Sequence, residues 1–232
     1  MNVVYIHTHD SGRFLQPYGY GVSTPNLMDF AGNATLFRKA FCAAPTCSPS
    51  RAALLSGQSP HVCGQLGLAH RGFQMDDYSR HLGSYLRTEG GYETVLCGIQ
   101  HEAPSADLIG YSRILGDQGY DMGDIGFNGI DWDRANARLV ARYLGEKHDK
   151  PFFLSYGMFS THRKYPKHDG SVDPDYVMPP AIIADTPENR EDFADFIYSA
   201  KAADECVGIV LDDIGKSGLR DSTTVIFTTD HG

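Results

Sequence analysis

Long apolar runs are missing from this chain of 232 residues: no stretch approaches the roughly 20 consecutive apolar side chains that a bilayer-spanning helix needs. Basic charge is scarce as well, with 20 Lys and Arg against 29 Asp and Glu, a net charge of −9 with neutral His. A nucleic-acid surface carries a basic surplus or a basic stripe, so the expected partners include neither nucleic acid nor membrane. The five cysteines (Cys42, Cys47, Cys63, Cys97 and Cys206) are odd in number and form no C-x-x-C pair, which argues against a disulfide framework or a zinc ribbon. Met1 leads straight into Val3-Val4-Tyr5-Ile6 without a basic or cleavable apolar segment, and a cytoplasmic location is the expectation from that start. Low-complexity tracts, internal repeats and dividing linkers are absent too, which predicts one domain over residues 1–232.

What is present is a core-forming composition, 41% apolar with 12 Phe and 13 Tyr, arranged as alternating short apolar runs and helical periods. Residues 2–7 read as a buried strand ending in His7-Thr8-His9-Asp10-Ser11-Gly12. Thr24-Pro25 reads as the cap and first residue of a helix through Leu27, Met28 and Phe30. Residues 36–41 read as a short extended piece, and Cys47 to Arg51 as a loop entering a short helix closed by Gly57. Helical spacing at Leu82, Tyr85 and Leu86 is followed by a strand near Thr94 to Leu96 that reaches His101. A helix from about Asp131, the strand Phe152 to Tyr156, a long helix through Phe196 and Val210, and a last strand Thr223 to Phe227 complete the order. This alternation predicts an α/β domain with a mostly parallel sheet.

Four predicted strands end in ionisable side chains: His9-Asp10, His101, His162 and Asp230-His231. Ligands bind beyond the carboxyl ends of strands in parallel α/β sheets, so four such endings on one edge point to a divalent-cation site with carboxylate and imidazole donors. Cys47 lies at a helix N-terminus, where backbone N–H groups favour an anion and lower a thiol's pKa, and Arg51 lies one turn further on.

The run Cys47-Ser48-Pro49-Ser50-Arg51 resembles the C-x-P-x-R signature of type I sulfatases, and the extension through Ala52, Leu54, Leu55, Ser56 and Gly57 is similar too. The likeness covers essentially the whole chain in the family's order: acidic strand end, Thr-Pro-Asn-Leu helix, Phe-Arg-Lys-Ala-Phe segment, nucleophile motif, two His-bearing strand ends and Asp-His-Gly. Its pattern is most similar to the heparan N-sulfatase (sulfamidase) branch and bacterial relatives. The resemblance implies an alkaline-phosphatase-like sandwich, with Cys47 converted to formylglycine by a maturation enzyme. It implies His9, Asp10, Cys47, Asp230 and His231 around one divalent metal, calcium by family habit, with Mn, Mg or Zn as alternatives given His9 and His231. It implies that Arg51 holds the hydrate, that His162 protonates the leaving group and that His101 takes the proton as sulfate is eliminated.

Two departures stand out. Ile99 occupies the place of a usual Lys, and His9 the place of a usual Asp. The expected function is hydrolysis of a sulfate ester or sulfamate on a small molecule or saccharide. A phosphonate or phosphodiester hydrolase, or a non-catalytic truncated fragment, is the alternative. At roughly half the family's length, the chain reads as the N-terminal part of a sulfatase, lacking the C-terminal subdomain. His61, His70 and Arg71 fall in a Gly-rich loop that could line an anionic-sugar pocket, and Cys42, Cys63, Cys97 and Cys206 read as buried apolar groups.

Overall fold

A computed structural model of the chain describes residues 1–116 and 127–232. In chain order the elements are β1 (Asn2–Thr8), α1 (Pro25–Gly32), α2 (Cys47–Ser56), α3 (Pro60–Cys63), α4 (Leu82–Thr88), β2 (Glu93–Gly98), α5 (Ala106–Ile109), β3 (Arg113–Leu115), α6 (Gly129–Leu144), β4 (Phe152–Gly157), α7 (Pro187–Lys216) and β5 (Thr223–Thr229). The strands form one sheet in the order β3-β2-β4-β1-β5, and every pairing is parallel. The predicted α/β class with a parallel sheet is the one observed.

A parallel sheet is covered on both faces, so its central strands must be apolar throughout rather than alternating. Val4, Ile6, Val95, Leu96, Phe152, Phe153 and Leu154 are accordingly all buried. Successive side chains along a strand point to opposite faces. Val4, Ile6, Leu154 and Tyr156 face a core with Ala137 and Val140 of α6 and Val207 and Val210 of α7. Tyr5 and Phe153 face the other way, against Leu55 of α2 and Leu86 of α4. The result is three layers, with α6 and α7 on one face and α2 and α4 on the other. β5 is an edge strand, and its Ile226 is exposed.

Several local expectations need correcting. Residues 36–41 form no strand; Phe37 and Phe41 stand exposed in a loop, because no neighbouring strand pairs with them. Helix α2 begins at Cys47 itself rather than after Arg51, so the whole signature is helical. Thr24 makes no side-chain capping bond to α1; Asp204 of α7 takes that place, accepting from the N–H groups of Asn26 and Leu27 at 3.0 and 2.8 Å. A carboxylate from a distant helix thus satisfies the free donors and the positive end of the α1 dipole. Helix α6 begins two residues early, capped by the Asn128 side chain, which accepts from Ile130 N–H at 3.0 Å. Cys42 is exposed, while Cys63, Cys97 and Cys206 are buried as expected.

Candidate active site

The carboxyl ends of β2, β4, β1 and β5, four contiguous strands, carry His101, His162, His9-Asp10 and Asp230-His231. The two carboxylates flank one point. His9 Nδ1 lies 2.8 Å from Asp10 Oδ1 and 3.3 Å from Asp230 Oδ2, and His231 Nε2 lies 3.2 Å from Asp10 Oδ1. Cys47 Sγ is 3.4 Å from His231 Nε2 and 3.9 Å from His9 Nδ1. Donor atoms of His9, Asp10, Cys47 and Asp230 all lie within 4.8 Å of one another. First and last strands of the chain are neighbours in register, Thr8 opposite Thr229, which is how residues some 220 positions apart come to share one point.

Backbone geometry serves the cluster. Asp10 adopts a left-handed conformation, φ 50°, which costs a non-glycine residue about 1–2 kcal/mol and turns the chain sharply at the end of β1. Asp230 Oδ1 accepts from the N–H groups of Asp10 and His231 at 2.9 and 2.8 Å, leaving Oδ2 for Arg51 and His9. Gly12 N–H donates to His231 O at 3.0 Å, and a Cβ on Gly12 would meet Gly232 Cα at 2.8 Å, so the two loops touch through glycine alone.

The signature residues each have a structural task. Thr46 is the α2 N-cap and Cys47 the first helical residue. Ser48 Oγ accepts from Ala69 N–H at 3.0 Å, tying α2 to the loop that carries His70. Ser50 Oγ donates to Asp230 O, tying α2 to the end of β5. Arg51 is 1% exposed; its Nη2 donates to Asp230 Oδ2 at 3.0 Å and its Nη1 to His7 Nδ1 at 2.6 Å.

Electrostatics follow from this packing. Burial raises the Asp230 carboxyl, but the charges of Arg51, His9 and His231 outweigh it and leave it well below the usual carboxylate range. For Asp10 burial is outweighed by the hydrogen bond from His9, again leaving it lower. Burial holds His9 below its ordinary value despite the Asp10 contact, and burial with the charges of His9 and Arg51 brings His101 to about 3. Burial, Asp230 and Asp10 push the Cys47 thiol up to about 12, which reverses the expected lowering: two carboxylates beside Sγ oppose a thiolate more than the helix N-terminus favours one. A pair of ionised carboxylates facing a buried imidazole and an undissociated thiol is an environment that gains from a cation, and the donor set fits one.

All the expected site residues reach this edge. His9, Asp10, Cys47, Arg51, Asp230 and His231 form one cluster, His162 packs on His9 with ring centroids 4.4 Å apart, and His101 lies 6.4 Å from His9. His70, expected as a pocket residue, instead hydrogen-bonds His101, Nδ1 to Nε2 at 2.9 Å, while His61 and Arg71 are exposed. Sequence reasoning missed His7 and Asp133. Asp133 of α6 accepts from Phe159 and Ser160 N–H, each at 2.8 Å, and so anchors the loop that carries His162. The only signal for either was a polar side chain inside an apolar period. A cavity of about 370 Å³ beside His162 is lined by Phe127, Phe159, Lys164 and Tyr165 among others.

Comparison with known proteins gives a consistent picture. The Sulfatase family model matches residues 1–232. Human N-sulphoglucosamine sulphohydrolase is 29% identical over 238 residues, covering 91% of this chain and 46% of that protein. Human arylsulfatase A is 28% identical over 281 residues, covering 100% of this chain and 52% of that protein. The chain thus spans about half the length of these relatives. The solved 2-O GAG sulfatase BT1596 superimposes with a TM-score of 0.72 at 20% identity, covering 100% of this chain and 58% of that one. Phosphonate monoester hydrolase of Agrobacterium radiobacter does so with a TM-score of 0.74, also at 20% identity, covering 100% and 62%. At those identities the two structures show a shared fold, the alkaline-phosphatase-like one expected from the sequence.

Proposed function

The chain belongs to the sulfatase family, and on that premise we propose that its site serves the hydrolysis of a sulfate ester or sulfamate on a sulfated, glycosaminoglycan-like saccharide. The observation that carries the reading is the meeting of Cys47 with Asp10, Asp230, His9 and His231 at the ends of adjacent parallel strands. The name of the relative that matches 91% of the chain supports the substrate class.

Asp10, Asp230, His9 and His231 are the residues that would hold a divalent metal, which supplies charge to neutralise sulfate oxygens and polarise the S–O bond. Formylglycine at residue 47, formed by a maturation enzyme, supplies a hydrated aldehyde whose oxygen is a nucleophile at sulfur. The chain's other residues do the positioning. Arg51, locked by His7 and Asp230, presents a fixed positive charge next to residue 47. His101, kept neutral by burial, is the residue assigned to accept a proton as sulfate departs. His162 stands against the cavity and is the residue assigned to donate a proton to the leaving alcohol or amine. Lys164 lines the same cavity and can attract an anionic saccharide group, where the sequence has Ile99 instead of the family's usual Lys.

A second reading, phosphonate or phosphodiester hydrolysis, is favoured by that Ile99. One experiment separates the readings: sulfate release from an N- or O-sulfated glucosamine against phenol release from an aryl phosphodiester, by matured protein and by Cys47→Ala. Sulfate release that vanishes in Cys47→Ala supports the first reading. Turnover of the phosphodiester alone supports the second, and full sulfate release by Cys47→Ala would sink the assignment of residue 47.

A further inference from the structure

The donors at the strand ends divide into two sets that share His9 and Cys47. One set is hard, with the Asp10 and Asp230 carboxylates; the other is His9, Cys47 and His101, whose donor atoms also lie within 4.8 Å of one another. His9 Nδ1 lies 2.8 Å from Asp10 Oδ1 and 3.9 Å from Cys47 Sγ, while its Nε2 is buried with no hydrogen-bond partner among the described residues. His9 itself is wholly buried. His101 shows the complementary arrangement: Nε2 meets His70 Nδ1 at 2.9 Å, and Nδ1 is buried without a partner. An imidazole fixed through one nitrogen by a carboxylate or a second His, with the other nitrogen left free, is how proteins orient a histidine ligand toward a metal. Leaving two such nitrogens unsatisfied costs about 1–3 kcal/mol each, so the arrangement calls for an explanation.

We propose that the chain with Cys47 still in its thiol form binds a thiophilic transition metal of the zinc class through His9, Cys47 and His101, a site distinct in donor chemistry from the oxygen-rich one at Asp10 and Asp230. Two imidazoles and a thiolate suit Zn(II) or Co(II) and are poor ligands for calcium. Binding replaces the S–H bond of Cys47 by an S–metal bond, and the proton leaves to solvent. Tetrahedral ligands at about 2.0–2.3 Å from zinc sit about 3.3–3.8 Å from one another, so the three donors need to close by about 1 Å, within reach of side-chain rotation. A water completes the fourth position. His70 and Asp10 act as positioning residues, each holding one imidazole by its outer nitrogen. Conversion of Cys47 removes the sulfur and with it this set, so the metal preference of the site changes on maturation from thiophilic to oxygen-seeking. The proposal concerns the thiol form and stands independently of the substrate.

The test uses the whole chain made in a host without the maturation enzyme, its thiol verified by intact mass. Zinc K-edge absorption of the chain loaded with one equivalent of Zn(II) should show one sulfur at about 2.3 Å and two imidazole nitrogens at about 2.0 Å. Co(II) should give tetrahedral visible bands with a thiolate charge-transfer band. Cys47→Ser should lose that band, His101→Gln should weaken Zn(II) binding by about tenfold or more, and Asp10→Asn should keep the sulfur. A first shell of oxygen and nitrogen without sulfur overturns the proposal. So does a sulfur shell whose affinity is unchanged in His101→Gln and lost in Asp10→Asn, since the thiol would then belong to the carboxylate set. The absorption spectrum of the unaltered chain decides whether sulfur is a ligand even where a variant fails to fold, and His101→Gln tells His101 from His231, whose Nε2 lies 3.4 Å from Cys47 Sγ. Sulfate release is assayed on matured protein, so failure of one reading leaves the other standing.

Discussion

Arg51 Nη1 donates to His7 Nδ1 at 2.6 Å, and because a guanidinium only donates, His7 must be the neutral tautomer with its proton on Nε2, directed at Ser155 Oγ 3.3 Å away. Burial, reinforced by the charge of Arg51, keeps that imidazole well below its ordinary pKa. A buried cation is thus held between one carboxylate, Asp230, and one neutral acceptor. The Arg51 side chain, which the resemblance gives the task of holding the hydrate, owes its direction to a strand residue three positions before the turn of Asp10 to Gly12.

Replacing His7 removes an acceptor from a fully buried charge. His7→Leu should therefore destabilise the fold by about 2–3 kcal/mol, the cost of leaving a buried charged donor unpaired. His7→Asn, which keeps an acceptor, should cost less. Urea unfolding of both variants at a fixed cation concentration measures the difference. Equal stability of His7→Leu and the parent chain would mean that Asp230 alone satisfies Arg51.

Two carboxylates held this close repel in the absence of a cation, so added divalent metal should stabilise the chain. At a concentration of 100 times Kd the gain is about 2.7 kcal/mol. Thermal unfolding with and without chelator should show it, and Asp10→Asn or Asp230→Asn should abolish most of the shift. A melting temperature indifferent to chelator would refute a cation site at Asp10 and Asp230.

How far the sequence could be read depended on range. The strand ends were legible because short continuous apolar runs stop at polar residues, and a parallel sheet brings such ends to one edge. The order of the strands was not local information: nothing near Thr8 announces that Thr229 lies beside it. Residues acting through the interior were illegible for the same reason. Asp204 caps α1 from 178 positions away, and His7 and Asp133 lie in strand and helix segments where a polar residue looks like a surface position. The thiol of Cys47 was misjudged because its helix position was visible and the two carboxylates converging on it were not.

Acid should weaken the fold partly through His81. It is fully buried at the start of α4, where its Nδ1 accepts from Gly83 N–H at 3.1 Å, and burial lowers its pKa from 6.5 to about 4. The unfolded chain takes up this proton near pH 6.5 and the folded chain only near 4. Its stabilising contribution is therefore complete above about pH 6.5 and is lost as pH falls toward about 4, by about 3 kcal/mol in all. His81→Asn, which can still cap, should show a shallower decline of unfolding free energy across that window, by up to one proton. Identical slopes for the two proteins would rule His81 out as a contributor.

Asp133 offers the sharpest separation of structure from catalysis. Its two carboxylate oxygens accept from Phe159 and Ser160 N–H at 2.8 Å each, and its carbonyl accepts from the Tyr156 hydroxyl at 2.8 Å, so α6 grips the end of β4 at three points. One residue on, Thr161 Oγ1 accepts from His9 N–H at 3.2 Å, and His162 packs on the His9 ring. The clamp therefore sets both imidazoles, His9, proposed to hold metal, and His162, proposed to donate a proton. In Asp133→Asn one oxygen becomes an NH2 group facing a backbone N–H, so one hydrogen bond is lost and two donors oppose each other, at a cost of about 1–3 kcal/mol. A shift of about 1 Å in His162 would then lower kcat by about 100-fold. KM should change less than kcat, because Arg51, the cation proposed to face the reacting group, is held on α2 by His7 and Asp230 rather than by this clamp. Steady-state kinetics of Asp133→Asn beside its unfolding curve reads both effects. A variant that loses stability but keeps its full kcat would show that the clamp holds the fold together without positioning His162.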